Sequence, residues 1–185
     1  MDFEPTIKPL LKLTAAEFEF FYKAGVECRA FEVVFSDERP GNLTADYLLR
    51  LAGLPGVDFN VLYKVPRPVD LDELTFHDFN DYRPLAFFWT AIPFHKTAFI
   101  NFGFLPAGLP WRLELGHYVL KLLWWMGYMS LASLTPNYNL PAQKYALDLG
   151  GRILGNWPGA CYHAGREAYV DGVFIQFLPD QNEEN

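Results

Sequence analysis

The chain has 185 residues, a formal charge of −7 at pH 7 and two cysteines. That length suits a single domain burying about 70% of its unfolded surface, and an acidic chain with no Lys or Arg run disfavours autonomous nucleic-acid binding. Cys28 and Cys161 stand far apart in no metal-like or redox-like spacing, so neither a zinc site nor a disulfide framework is expected, and a reducing cytosol is. Aromatic residues reach 17%, with 17 Phe and 10 Tyr, which leaves two possibilities open: a bulky core or an exposed binding face.

The start, Met1-Asp2-Phe3-Glu4-Pro5, is acidic and broken by proline, which fits neither a signal peptide nor a basic targeting helix; a cytoplasmic protein is expected. Residues 6–13 alternate loosely and end at Thr14, an N-cap with Glu17 three residues on, so a helix is expected over about 15–24. Glu32-Val33-Val34-Phe35 reads as a short strand. Thr44 caps a helix over 45–52 that Gly53 and Pro55 stop, and 59–65 reads as a strand. Residues 66–84, proline-bearing and acidic, read as an irregular excursion with no active chemistry.

Two apolar, aromatic-rich runs, 85–92 and 97–105, are joined by Pro93-Phe94-His95-Lys96, the pattern of a hairpin with a four-residue turn. After the loop 106–111, Leu115, Val119, Leu122 and Met126 recur at helical spacing, predicting a helix over 113–127 that Gly127 ends. The most apolar stretch, 119–134, is interrupted by Lys121, Gly127 and Ser130 and is too short to span a membrane. A buried strand over 129–134 and a helix over 139–149, closed by Gly150-Gly151, follow. Residues 160–163 and 167–178 suggest terminal antiparallel strands with a tight turn or bulge at Asp171-Gly172, and 179–185 a polar tail after a single domain over 1–178.

The order strand, strand, loop, helix, strand, helix, strand, strand over 85–178 resembles the C-terminal two-thirds of the GCN5-related N-acetyltransferases. Asn139, then Ala142, then Gly150 is similar to that family's second cofactor motif, where Asn caps a helix, Ala lets it lie close to the cofactor and Gly makes a left-handed C-cap. The resemblance implies an α/β fold with a central mixed twisted sheet flanked by helices. It also implies direct attack of an amine, small-molecule or protein-borne, on acetyl-CoA or another acyl-CoA. By the same resemblance Phe102, Gly103 and Phe104 of the 97–105 strand, with Gly108, Arg112, Gly116, Asn139 and Ala142, would bind the cofactor. A backbone amide of that strand would polarise the thioester carbonyl.

Two departures from the pattern stand out. The family's pyrophosphate loop carries small residues three and five positions after its Arg or Gln; here Arg112 is followed by Leu115 and His117, with Gly116 one residue off. Its general-acid tyrosine, seven residues after the Asn, falls on Ala146, with Tyr145 one residue earlier, about a 100° rotation on a helix. Tyr145 is the candidate acid, and Glu167, on a late strand, the candidate base. His163 lies two residues from Cys161 without a third orienting group, so no nucleophile is read there. No metal ligands are identified. Mutated motifs of this kind resemble small bacteriophage members of the fold, acting in the host cytoplasm or in the virion. The competing reading is therefore a non-catalytic binding or virion-associated protein that keeps the scaffold.

Overall fold

The computed structural model describes residues 3, 5–64 and 83–179. Its strands are β1 (Pro5–Pro9), β2 (Val57–Lys64), β3 (Arg83–Phe94), β4 (Thr97–Phe104), β5 (Ser130–Pro136), β6 (Arg152–His163) and β7 (Ala168–Phe177). They form one sheet in the order β1-β2-β3-β4-β5-β7-β6. Every neighbouring pair is antiparallel except β4 and β5, which run parallel with helix α4 (Arg112–Trp125) in the connection between them. The remaining helices are α1 (Ala15–Glu27), α2 (Ala30–Val34), α3 (Ala45–Ala52) and α5 (Leu140–Asp148).

Local chemistry explains where the helices begin and end. Thr14 and Glu17 make the expected reciprocal capping box, and the Thr44 hydroxyl accepts from the Tyr47 amide. Two helices end in a Schellman motif. The amides of Gly127 and Tyr128 donate to the Trp124 and Leu123 carbonyls, and those of Gly150 and Gly151 to the Leu147 and Ala146 carbonyls. Gly127 at φ +95 and Gly150 at φ +85 supply the left-handed residue that each motif requires.

The sheet is covered on both faces. Helices α1, α2 and α3 pack on one side over Phe59, Val61, Tyr63, Phe87 and Trp89, and α4 and α5 on the other over Leu62, Phe88, Ile100, Leu131 and Ile175. Alternation at period two sends Phe87 and Trp89 one way and Phe88 the other, so β3 reads as a continuous apolar run because both of its faces are buried. Among the described residues, aromatic rings make up a large part of the core. Phe59, Phe87, Trp89 and Phe35 stack with centroids 4.7–6.5 Å apart, and Phe21 and Phe31 meet Phe87 edge-on or tilted.

The structure corrects several expectations. Residues 32–35 are not a strand: α2 is helical, because Phe31 and Phe35, four apart, must both reach the ring cluster, and Arg29 at φ 59 turns the chain out of α1. Tertiary packing here overrides the β-branched pair Val33-Val34. On α4 the buried stripe is Leu115, Val119, Leu120 and Leu123, while Met126 is exposed. The β3–β4 turn is the two residues His95 and Lys96, with His95 left-handed. β6 begins at Arg152 rather than 160, its early part disguised by two register shifts around Gly155 and Pro158-Gly159. Asp171-Gly172 lies inside β7, the irregularity being in β6 opposite, where the Gly159 amide donates to Asp171 Oδ1 at 3.0 Å. Residues 83 and 84 of the expected excursion belong to β3; 65–82 and 180–185 lie outside the described residues.

Candidate functional site

The parallel ladder between β4 and β5 lasts only three pairs, Thr97–Ser130, Ala98–Leu131 and Phe99–Ala132. Beyond them each strand keeps its antiparallel neighbour: β4 stays on β3 to Phe104, and β5 stays on β7 to Pro136. The end of β4 is held against β3. The Leu105 amide donates to the Leu85 carbonyl at 2.9 Å, and Gly108 lies so close that a Cβ there would stand 2.0 Å from the same oxygen. Parallel pairing is the weaker kind per residue, so the sheet opens at that seam.

A cavity of about 130 Å³ occupies the opening. β4 contributes Asn101 and Phe102, β5 Ser133 to Pro136, α5 Asn139, Ala142 and Tyr145, and α2 with the residues after it Val33, Val34 and Ser36. The Asn139 side chain accepts from the Ala142 amide at 3.3 Å and so caps α5 as expected. Ser133 Oγ is shut from solvent and has no hydrogen-bond partner among the described residues. The sequence reading passed over it, a single hydroxyl in a short apolar strand, as it did Ser36.

Tyr145 meets Phe102 and Phe104 edge-on, with centroids 6.0 and 5.1 Å away, and so forms the inner wall of the opening. Its hydroxyl donates to the Arg112 carbonyl at 3.1 Å, and burial pushes its pKa well above the usual phenol value despite Arg112 nearby. Two residues expected to serve separately are here one contact: a Cβ on Gly116 would stand 2.1 Å from that hydroxyl and 2.8 Å from both Leu149 methyls. Ala146 packs in the core and also lines the opening. Gly103 also answers to packing, since a Cβ would stand 2.1 Å from the Phe87 ring.

Among the described residues no side chain caps the first turn of α4; Arg112 there is exposed, its amide donating to the Leu109 carbonyl and its guanidinium reaching the same oxygen at 3.5 Å. Leu115 is buried in the core and His117 faces solvent, so neither side chain stands over the helix start. Glu114 in the same turn opposes an anion. The amides of Gly108 and Leu109 are already bonded to the Leu105 carbonyl.

Glu167 is not a strand residue. It ends the 164–167 turn between β6 and β7 at φ 50, ion-paired with Arg39, and does not line the opening. A second pocket, of about 370 Å³, adjoins the first through Val33, Ser36 and Asn139, and adds Glu32, Glu38, Tyr138, His163 and Gly165. His163 Nδ1 is buried and has no hydrogen-bond partner among the described residues, with the Tyr138 ring 5.0 Å away. Cys161 is unsuited to nucleophilic chemistry, because burial and then the Asp37 charge push its thiol up. Among the described residues no group of three or more His, Cys, Asp or Glu is placed to hold a metal ion, and no helix is long and apolar enough to cross a membrane.

Neither a protein-family model nor a curated protein matches the chain. Solved structures do. The spermidine N-acetyltransferase of Vibrio cholerae, in complex with CoA and spermine, superposes with a TM-score of 0.68 at 12% identity over 94% of this chain and 95% of that one. The ribosomal-protein-S5-alanine acetyltransferase of Vibrio fischeri gives 0.65 at 11% identity over 98% and 97%. A GCN5-related N-acetyltransferase of Kribbella flavida gives 0.60 at 16% over 94% and 97%. Identity this low speaks for the backbone alone, and in its backbone, from the mixed seven-stranded sheet to the parting of β4 from β5, the chain has the fold of the GCN5-related N-acetyltransferases.

Proposed function

We propose that the chain is an acyl-CoA-dependent N-acyltransferase in which an amine attacks the thioester directly. The observation that carries this reading is the opening between β4 and β5, where the ladder stops after three pairs and a cavity lies in the gap. A pantetheine arm, extended and amide-bearing, is the kind of ligand that completes interrupted strand edges. The residues fit such a group: the backbone of Phe102, Gly103 and Phe104 on one side, Ser133, Asn139 and Ala142 on the other. Arg112, exposed at the start of α4, is assigned to the phosphates. Coenzyme A, when bound, supplies the acyl group as an activated thioester.

The chain's own residues then do modest things. Backbone amides of β4 polarise the acyl carbonyl, and the walls of the opening hold the reacting groups together. Tyr145 is assigned to the wall, because its proton is committed to the Arg112 carbonyl and its raised pKa makes it a weak acid toward a thiolate. Glu167, held by Arg39, is assigned to the rim.

Calorimetric titration with acetyl-CoA tests the reading. Binding with a Kd of roughly micromolar order and a matching rise in melting temperature are expected. Arg112→Ala should weaken binding by about 1.5–3 kcal/mol, the size of a hydrogen bond to a charged group. A cofactor-free binding protein is the second reading, favoured by the Tyr145 hydroxyl filling the space above Gly116. No heat and no thermal shift at millimolar acetyl-CoA would select it.

A further inference from the structure

The sheet has two edges, and they are finished differently. β1, at one, is five residues long, begins and ends in proline and carries Lys8, three of the devices that keep an edge from pairing with another chain. β6, at the other, is twelve residues long, and among the described residues β7 is its one strand neighbour. Its residues 152–159 are all exposed. They include Ile153, Leu154 and Trp157, exposed at 45%, 49% and 55%, and no Lys, Asp or Glu. Leu147 on α5, which leads into β6, and Tyr169 on β7 are exposed as well. A long apolar edge of this kind is a template for a further strand.

The edge is complementary to itself. Pro158 and the register shift after Trp157 close the run. Inside it the ladder skips Leu154, which reverses the alternation: Ile153 and Asn156 lie on the face of Ile175 and Val173, Arg152 and Trp157 on the face of Gln176 and Gly172. A second copy laid antiparallel about a two-fold axis between 154 and 155 therefore meets the first face for face. Arg152 stands across from the partner's Trp157, a cation beside an aromatic ring, and Ile153 across from the partner's Asn156. Eight exposed strand residues with Leu147 and Tyr169 offer on the order of 700 Å² per copy, close to the roughly 800 Å² that a standard interface takes from each partner. Charge favours the same place. Two copies with a formal charge of −7 repel over most of their surface, whereas residues 152–157 bring no carboxylate to the contact.

We propose that the chain is a homodimer whose two sheets join through β6, antiparallel about a two-fold axis, into one continuous sheet. The proposal stands apart from the acyltransferase reading, since none of these residues lines the opening.

Sedimentation equilibrium of the full chain between about 1 and 100 µM tests it, with a monomer–dimer Kd of roughly micromolar order expected. The dimer should tighten as salt rises from about 50 to 500 mM, because screening relieves the repulsion between two acidic copies. Leu154→Lys combined with Trp157→Lys, which sets on β6 the residue type that guards natural edges, should raise the Kd about tenfold or more. Should that double variant melt early, hydrogen exchange of the unmodified chain decides. Amides within 152–157 should then slow about tenfold or more from the dilute to the concentrated end of the range, while those of β2 stay unchanged. A chain still monomeric at the concentrated end, a dimer that survives both lysines, association that continues past the dimer, or exchange at 152–157 that ignores concentration overturns the proposal. The first of these outcomes would leave the edge to a strand of a different protein.

Discussion

Gly116 has no room for a methyl group, because the Tyr145 hydroxyl and two Leu149 methyls already occupy the place. Gly116→Ala should therefore destabilise by about 1–3 kcal/mol in urea unfolding, the usual size of overpacking. In a Tyr145→Phe background that cost should fall without disappearing, since the Leu149 methyls remain; an equal cost in both backgrounds would contradict the contact. Both residues stood out in the sequence, but not as a pair, for they lie on different helices, α4 and α5, and nothing local announces the contact. A second residue-scale expectation concerns acid. Burial tends to raise the Glu17 carboxyl, but hydrogen bonds and charge from Lys8 and Thr14 outweigh it and hold the pKa below 4.5. A carboxylate depressed on folding stabilises fully above its unfolded pKa and loses that contribution as pH falls through the folded value. The stability gap between the natural chain and Glu17→Gln should thus narrow from about pH 6 to about pH 3; a constant gap would assign it to packing.

The elements that the sequence made legible are those written in local chemistry. Thr14, Thr44, Asn139, Gly127 and Gly150 mark helix ends through bonds that span three to five residues, and each lies where its residue type demands. Asn139→Ala should accordingly cost about 1 kcal/mol of stability by losing one cap hydrogen bond. If the same variant also weakens acetyl-CoA binding by more than that loss explains, Asn139 contacts the cofactor as well. Elements set by distant partners were not legible. Val33-Val34 favours a strand, and only the need of Phe31 and Phe35 to reach Phe87 makes α2 a helix. The early half of β6 hides behind Gly155, Pro158 and Gly159 because it is an exposed edge strand that interrupts its own ladder. Glu167 was expected to open the last strand and instead ends the turn before it, since β7 begins one residue later, at Ala168.

At the scale of the molecule, the two faces of the sheet divide the labour. The face under α1, α2 and α3 is a stack of aromatic rings that answers the composition's open question in favour of a core, and the buried residues under α4 and α5 are mainly aliphatic, with Phe88 and Phe177 among them, and run across the seam. The opening itself was expected only through family likeness, since it results from β4 holding to β3 and β5 holding to β7 while their mutual pairing fails. No single segment encodes that; the competition among three strand pairs does. Hydrogen exchange with and without acetyl-CoA reads the seam directly. The amides of residues 100–104 and 133–136 should exchange about tenfold or more slowly with the ligand present, as unpaired edges gain partners, while residues 152–156 of β6 stay unchanged. Unaltered exchange at 100–104 and 133–136 under saturating acetyl-CoA would contradict the claim that the cofactor lies between β4 and β5.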